Sequence, residues 1–336
     1  MMNSEFEISS IKGKNIVITG GLGFIGSNLA YACIKYGSSV TIVDNLDPLA
    51  GGNKFNIQPF ENEIKVISGD ICDSTLMDKI IKTADIIINC AALISHTQSL
   101  QTPYRNLEVN SIAVLGMLEV IKNNNPQIQF IQIGTTTQIG KSHSLPVDES
   151  HQEFPLDPYS AHKSLAEKYT FMYSQVHGLK TNIVRLPNIY GPRAAIHSPS
   201  LTFNNYFIGL ALQNKDITIY GDGRQSRNLL YVGDAVEAIL KVTEKSDGLG
   251  GVYLAVHDDH ITVAEVAEKI VSVFGKGTVR YIPWPEGRKN IEIGDATYSN
   301  KKIKRDIGWH PQTSFIDGLS KTKDYYYACL EKYLKP

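Results

Sequence analysis

The sequence feature that most constrains the fold is a glycine-rich segment at residues 19–26, which reads TGGLGFIG and lies between an apolar, β-branched run and a stretch of helix length. Gly20 lets the chain turn sharply, Gly23 has no Cβ to keep a ligand away, and Gly26 allows the helix to pack closely against the strand. The N-terminus of that helix would offer free N–H groups and a positive dipole end to a pyrophosphate. The segment therefore predicts a strand–turn–helix unit that binds a dinucleotide.

The rest of the chain supports a fold built around such a unit. Short β-branched runs alternate with helix-length amphipathic segments, which is typical of βα units and a mostly parallel sheet. The predicted strands of this sheet are residues 15–19, 40–43, 64–67, 85–89, 130–133 and 181–185. Later strands are shorter, at residues 217–220, 252–254 and 279–282. The fold class expected is α/β: a Rossmann-like, doubly wound parallel sheet with a smaller C-terminal α/β lobe.

The composition excludes several classes of partner. The chain has 33 Lys and Arg against 34 Asp and Glu, which favours neither nucleic acid nor an anionic membrane. Four cysteines lie scattered without paired spacing, as is typical of a reducing compartment. The first ten residues lack an apolar signal core, and no later run reaches the roughly 20 apolar residues of a membrane span. We expect a cytoplasmic protein.

His143 and His151 lack a second ligand at metal-site spacing, so no metal is expected.

An acidic residue after the second predicted strand indicates which dinucleotide binds. Asp44 lies about 20 residues past the glycine turn, where a carboxylate can accept hydrogen bonds from the adenosine ribose. A 2′-phosphate would meet its negative charge, and no arginine is near Asp44 in sequence. The sequence therefore predicts NAD as the cofactor. Asp70, which follows the third strand in the segment SGDI, is by itself unremarkable because Gly-Asp is a common turn pair.

A tyrosine and a lysine are the candidate catalytic pair. Tyr159 and Lys163 lie four residues apart, on one face of a predicted helix that Asp157 would cap and Gly178 would end. A free tyrosine has a pKa near ~10, but the ammonium of Lys163 and an oxidised nicotinamide would each lower it, typically by roughly 1 to 3 units. The same helix carries an apolar stripe that predicts packing against the core or a partner helix: Ala161, Leu165, Tyr169, Met172 and Val176.

Taken together and in order, the motifs resemble one known family. They are TGGxGFIG, the Asp44 acid, Asp70-Ile71, Cys90-Ala91-Ala92, Pro-Tyr-x-x-x-Lys ending at Lys163, and Asn188-x-Tyr190-Gly191-Pro192-Arg193. Over most of its length the chain resembles an extended short-chain dehydrogenase/reductase of the nucleotide-sugar epimerase/dehydratase group, such as the UDP-glucose 4-epimerase-like enzymes. The resemblance implies a nucleotide-diphosphate sugar as substrate, a role in carbohydrate metabolism or polysaccharide biosynthesis, and a homodimer formed through the Tyr159 helix and residues 103–123.

The resemblance also implies a division of labour along the chain. Residues 1–186 would bind NAD and carry the catalytic residues, whereas residues 187–336 would bind mainly the substrate, with the chain free to cross between the two. The implied cofactor contacts are Gly20, Gly23, Phe24, Ile25, Gly26, Asp44, Asn45, Asp70, Ile71, Ala91, Ala92, Asn110, Tyr159, Lys163 and Pro187. The implied substrate contacts are Thr135, Asn188, Arg227 and Arg288.

Two of these substrate contacts stand in segments that depart from the family pattern. Asn228 replaces the aspartate that usually follows the phosphate-binding arginine, here Arg227. The usual Pro-Gly-Asp continuation after Arg288 is replaced by Lys289-Asn290-Ile291. Three histidines near the predicted site, His96, His162 and His197, are expected to pack or to line its rim, with His197 nearest the sugar.

The reaction type depends on the threonines at residues 135–137. The family's third catalytic group is a hydroxyl that matches Thr135, and Thr136 or Thr137 would replace it if the loop is shifted. Family 4,6-dehydratases carry Asp-Glu after this hydroxyl and UDP-glucuronate decarboxylases carry Glu at the third position, but here Thr136 and Thr137 stand there. Because threonine is neither a carboxylic acid nor a base near neutral pH, elimination is disfavoured.

The expected activity is therefore epimerisation, most simply at C4 of a UDP-hexose or related sugar. Tyr159 as phenolate would take a proton from a sugar hydroxyl while the carbon gives hydride to NAD, and both would return to the other face of a transient keto-sugar. The alternatives are a CDP-sugar 2-epimerase, a nucleotide-sugar 4-ketoreductase or dehydratase, and, outside catalysis, an NAD-binding regulatory protein.

Overall fold

The structure is a computed structural model that describes residues 8–245 and 249–335. Residues 1–7, part of the segment that lacks a signal core, lie outside the described residues. The strands are β1 Asn15–Thr19, β2 Ser39–Asp44, β3 Ile64–Ser68, β4 Ile86–Asn89, β5 Gln129–Thr135, β6 Lys180–Leu186, β7 Asn188–Tyr190, β8 Ile217–Tyr220, β9 Ser226–Arg227, β10 Leu229–Tyr231, β11 Leu249–Leu254, β12 Ile261–Thr262 and β13 Val279–Ile282.

Helices connect these strands and cover the main sheet. They are α1 Phe24–Lys35, α2 Ser74–Ile81, α3 His96–Gln101, α4 Pro103–Leu107, α5 Ala113–Asn124, α6 Pro158–His177, α7 Phe203–Leu212, α8 Val232–Lys245, α9 Val263–Phe274, α10 Lys301–Ile307 and α11 Phe315–Cys329. Short 3₁₀ helices span Lys54–Glu63, Thr136–Ile139, Arg288–Ile291 and Leu330–Lys332. No helix within residues 8–245 and 249–335 is both long and apolar enough to cross a bilayer.

The main sheet has seven parallel strands in the order β11-β6-β5-β4-β1-β2-β3. The chain moves outward from β1 to β3 on one side and from β4 to β6 on the other, so the direction of winding switches between β1 and β4. In open α/β sheets, ligands bind at the carboxyl ends of the strands beside such a switch. The order confirms the predicted Rossmann-like, doubly wound sheet and places the glycine turn, which follows β1, beside the switch.

The predicted elements are confirmed with small changes at their ends. All six predicted strands of the sheet are present, and α6 begins at Pro158 and ends at Gly178 in the left-handed conformation, as its cap residues indicate. The helix expected at residues 103–123 is interrupted by a π-helical turn at Glu108–Ile112. The side chain of Tyr326, in the tyrosine run near the C-terminus, is fully buried in α11.

The part of the chain after residue 186 contributes strands both to the main sheet and to three small two-stranded sheets. Its small sheets pair β7 with β10, β8 with β13 and β9 with β12, above the carboxyl ends of the main strands. β11, however, lies at the edge of the main sheet and pairs with β6. The boundary near residue 186 therefore does not separate the strands of the main sheet from those of the small ones.

Candidate active site

The glycine turn is packed so tightly that side chains are excluded from it. Gly20 has a φ of +65°, and a Cβ there would meet the Ala91 backbone at 2.8 Å. A Cβ on Gly26 would lie 2.4 Å from the Gly20 carbonyl oxygen. Gly23 is the N-cap of α1 and supplies no capping side chain, so the first N–H groups of the helix are left for a ligand.

Acidic side chains gather beyond the ends of β2 and β3. The carboxylate of Asp44 accepts backbone hydrogen bonds from the N–H of Leu22 at 2.9 Å and of Leu46 at 2.8 Å. Each oxygen keeps a further lone pair for a ribose hydroxyl. Burial raises the pKa of Asp44, against the lowering effect of these two bonds.

Asp70 lies beside this carboxylate and pairs with an arginine that the sequence argument did not consider. Arg105 donates to Asp70 at 2.6 Å and lies 3.8 Å from Asp47. Burial opposes ionisation of Asp70, but hydrogen bonds from the Cys72 N–H and from Arg105 outweigh it and lower the pKa of this carboxyl. Arg105 therefore has carboxylate partners of its own beside the predicted ribose site.

One cavity of about 800 Å³ connects the glycine turn, the start of α6 and the later strands. This is within the range typical of small-molecule sites. The cavity brings together every residue predicted to contact cofactor or substrate except Asn110, although their roles stay predictions. The predicted residues that line it are Gly20, Gly23, Phe24, Ile25, Gly26, Asp44, Asn45, Asp70, Ile71, Ala91, Ala92, Thr135, Tyr159, Lys163, Pro187, Asn188, Arg227 and Arg288.

Asn110 lies behind the cavity wall. Its side chain accepts a hydrogen bond from the Leu93 N–H at 3.0 Å and donates to the Leu93 carbonyl at 2.9 Å and to Asn106 at 2.8 Å. Asn110 is buried, so these contacts fix the loop after β4 that forms part of the wall. A direct contact of Asn110 with the cofactor stays a prediction.

Tyr159 and Thr135 approach each other from two elements. Thr135 is the last residue of β5, and Tyr159 lies in the first turn of α6, with both side chains buried against the cavity. Burial raises the pKa of Tyr159, and the Asp157 carboxylate adds to this, whereas a hydrogen bond with Thr135 opposes it. Burial and the Asp157 carboxylate therefore favour the protonated phenol, and a nearby positive charge would favour its ionisation.

Lys163 lies one turn after Tyr159 and is also buried. Its Nζ donates to the Ile133 carbonyl at 2.5 Å, which fixes the side chain against β5. Burial lowers the pKa of Lys163 to about 8. The amine is therefore still mostly an ammonium at neutral pH, close to the point at which it loses its proton.

The predicted phosphate contacts come from the later part of the chain and line the same cavity. Arg227 forms an ion pair with Glu292 and donates to the Gly294 carbonyl at 2.7 Å. Asn188 lies at the start of β7, with its amide 3.4 Å from the Asn228 carbonyl. A diphosphate that binds Arg227 would compete with Glu292, which the sequence argument did not identify.

Two further contacts at the cavity could not be predicted from the sequence. Asp157 caps α6 as predicted, accepting from the Ser160 N–H at 2.9 Å, but it also contacts His96 at 2.8 Å. Tyr298 is buried at the cavity and hydrogen-bonds with Thr136. No motif marks these contacts, because each joins residues far apart in sequence. His197 interacts instead with the Tyr333 backbone and is absent from the cavity lining among the described residues.

The geometry fits a dinucleotide such as NAD. The turn has no room for a Cβ at Gly20 or Gly26, α1 presents an N-terminus without a capping side chain, and the Asp44 carboxylate lines the same cavity. Within the described parts of the chain, no group of three or more His, Cys, Asp or Glu is arranged to hold a metal ion.

Comparison with known proteins agrees with this geometry. The sequence profile of the NAD dependent epimerase/dehydratase family matches residues 16–255. A dTDP-glucose 4,6-dehydratase of Streptomyces niveus is 30% identical over 93% of this chain and 92% of its own length. Two solved structures each superpose on 94% of this chain and 99% of their own length, with TM-scores of 0.85. One is the UDP-glucose 4-epimerase of Thermotoga maritima with UDP-glucose, which is 28% identical. The other is a UDP-N-acetylglucosamine 4-epimerase of Methanobrevibacter ruminantium in complex with UDP-N-acetylmuramic acid, which is 30% identical. The chain belongs to the NAD-dependent epimerase/dehydratase family of nucleotide-sugar enzymes.

Proposed function

We propose that the protein is an NAD-dependent nucleotide-sugar epimerase that acts at C4 of a UDP-hexose or a related sugar. The observation that carries the proposal is the set of hydroxyls at the end of β5. Thr135, Thr136 and Thr137 face the cavity with Tyr159. Thr135 matches the family's catalytic hydroxyl, whereas Thr136 and Thr137 stand where the family resemblance places the carboxylic groups of dehydratases and decarboxylases. Two structural relatives named as 4-epimerases support the choice of carbon.

The residues of this chain would divide the work as follows. Tyr159 accepts the proton of the sugar hydroxyl as a phenolate and returns it after the sugar has turned its other face. Thr135 hydrogen-bonds the same oxygen, and the Lys163 ammonium stabilises the phenolate. A bound NAD would supply the acceptor, and then the donor, of the hydride that leaves and returns to the sugar carbon. Because proton and hydride both return, the reaction needs no net oxidant.

Arg227, Asn188 and Arg288 would bind the diphosphate and hold the nucleotide while the sugar turns. A guanidinium can bind two phosphate oxygens at once, so Arg227 would provide the strongest single contact. Its pairing with Glu292 neutralises the cation, and the incoming diphosphate replaces this carboxylate.

The test is incubation of the protein with UDP-, dTDP-, CDP- and GDP-sugars in ordinary and deuterated water, with products read by NMR. A C4-epimerase gives an inverted C4 that carries no deuterium, because the hydrogen returns from the cofactor. A dehydratase gives loss of water, and a ketoreductase consumes the reduced cofactor in proportion to product.

Matched variants separate catalysis from cofactor binding alone. Tyr159→Phe should lower turnover by at least about 100-fold while NAD stays bound, because only the acid–base hydroxyl is removed. Tyr169→Phe, ten residues later in the same helix and away from the described cavity lining, should remain active. A wild-type protein that converts none of the nucleotide sugars would instead favour an NAD-binding regulatory role.

We propose further that the protein is a homodimer joined through α5 and α6. The C-terminal part of the apolar stripe of α6 is exposed: Met172 and Val176 are 41% and 67% exposed, whereas Tyr169 packs against the core. Ile112 and Tyr104, which precede α5, are 54% and 83% exposed. Contiguous exposed apolar side chains of this kind indicate an interaction surface.

A further inference from the structure

A chain of polar side chains leads from Thr135 to a histidine at the cavity. Thr135 Oγ1 lies 3.1 Å from Thr137 Oγ1, which lies 3.2 Å from Ser160 Oγ. Ser160 Oγ donates to Asp157 Oδ2 at 3.1 Å, and that oxygen lies 2.8 Å from Nδ1 of His96. Thr135 and Tyr159 also interact at the cavity, so this series of side chains leads from the surroundings of the phenol to the His96 imidazole.

The last two side chains of this series, Asp157 and His96, differ in their access to solvent. The Asp157 side chain is only 4% exposed, whereas that of His96 is 37% exposed and lines the cavity. The His96 ring also packs edge-on against the Tyr159 ring, with centroids 5.0 Å apart. The ionisable groups on the elements around the chain are His96 on α3, Cys90 after β4, and Asp157, Tyr159, His162 and Lys163 at the start of α6.

The chemistry of this pair bears directly on Tyr159. A buried carboxylate beside a phenol repels the negative charge that the phenol acquires on ionisation. With a charged imidazole the His96–Asp157 pair is neutral overall, and with a neutral imidazole it carries one negative charge. The hydroxyls between them can reverse their donor direction, so that the phenol donates toward Asp157 and the phenolate accepts from Thr135.

We propose that His96 and Asp157 are positioning residues that control the charge state of Tyr159 through this chain of hydroxyls. The proposal rests on the proposed function, because it requires Tyr159 to be the acid–base group. Burial and the Asp157 carboxylate both raise the pKa of Tyr159, which is the direction the proposal needs. The pair would then oppose ionisation when His96 is neutral and permit it when His96 is charged.

Two substitutions should move the ionisation of Tyr159 in opposite directions. His96→Gln leaves the Asp157 charge uncompensated, so the acid limb of the kcat profile should move up by about one pH unit. Asp157→Asn removes the charge while keeping a good helix cap, so the limb should move down by about one pH unit. In the double variant, the acid limb of the kcat profile should lie at the same pH as in Asp157→Asn alone.

A spectroscopic titration provides the readout that does not depend on turnover. The tyrosinate absorbance of the NAD-loaded protein is titrated for each variant, with the matching Tyr159→Phe variant subtracted. His162→Gln is the matched control, because His162 interacts with Asp157 but hydrogen-bonds Asn106 at 2.8 Å, and it should leave the titration unchanged. In a Thr137→Val background, which interrupts the hydroxyl chain, the shift caused by His96→Gln should shrink, and Thr137→Ser should restore it.

The outcomes separate this proposal from the proposed function. Shifts in the same direction, or no shift in an active enzyme, would overturn the role of the His96–Asp157 pair and leave the epimerase proposal standing. Opposite shifts in a protein that converts no nucleotide sugar would support the pair and overturn the epimerase. A full His96→Gln shift in the Thr137→Val background would overturn the hydroxyl path.

Discussion

Gly26→Ala should weaken NAD binding because the added methyl has no space. The new Cβ would lie 2.4 Å from the Gly20 carbonyl oxygen and 2.8 Å from the Gly21 Cα, whereas ordinary contacts begin near 3.4 Å. Both neighbours are backbone atoms of the phosphate turn, so the turn itself must move by roughly 1 Å or the helix must tilt away.

The expected magnitude has two opposing parts. Overpacking of this kind costs about 1 to 3 kcal/mol, whereas alanine gains about 1 kcal/mol over glycine within a helix. We therefore expect the free energy of unfolding to fall by about 1 kcal/mol and NAD affinity to fall by at least about tenfold, which equals about 1.4 kcal/mol of binding.

The assay is calorimetric titration of cofactor-stripped protein with NAD, together with urea unfolding. Gly116→Ala in α5 is the matched control, since a Cβ there meets no atom within 4 Å. It should stabilise the protein by up to about 1 kcal/mol and leave NAD affinity unchanged. A Gly26→Ala protein that binds NAD as tightly as the wild type would refute the tight-turn argument.

Three further predictions concern charge and assembly. Because burial lowers the pKa of Lys163 to about 8, its ammonium is lost above that pH, and a kcat profile should decline from about pH 8 upward; a profile flat to pH 10 contradicts this. Glu292→Gln frees Arg227, so the KM for the nucleotide sugar should fall by about threefold in steady-state kinetics, and a raised KM would count against competition. Val176→Glu should convert a dimer to a folded monomer in sedimentation experiments; an unchanged mass would exclude this surface.

Local pattern was enough to predict the strands of the main sheet and helix α6. The β-branched runs are short and bounded by turn residues, and α6 has both a capping aspartate and a terminal glycine. The predicted ends of these elements therefore lie close to those in the structure. The glycine turn, Asp44 and the Tyr159–Lys163 pair were recognisable for a related reason. Each depends on residues that are neighbours in sequence, where spacing alone decides geometry.

Contacts between distant segments were not predictable in this way. Arg105 meets Asp70 across 35 residues, and His96 meets Asp157 across 61, so no periodicity or motif joins them. The side chain of Asn110 likewise hydrogen-bonds the backbone of Leu93, 17 residues away, and no motif marks this pairing; its contact with the cofactor stays a prediction. Such pairings depend on how loops pack once the sheet has formed.

The position of β11 has a consequence for how the chain must be made. Six of the seven parallel strands have been synthesised once the chain reaches residue 186. The edge strand β11 follows only after more than 60 further residues. Until then β6 exposes an unpaired row of N–H and C=O groups, which is a template for pairing with other chains. We therefore expect a fragment ending at residue 186 to aggregate, and nascent chains to depend on chaperones until β11 has been synthesised.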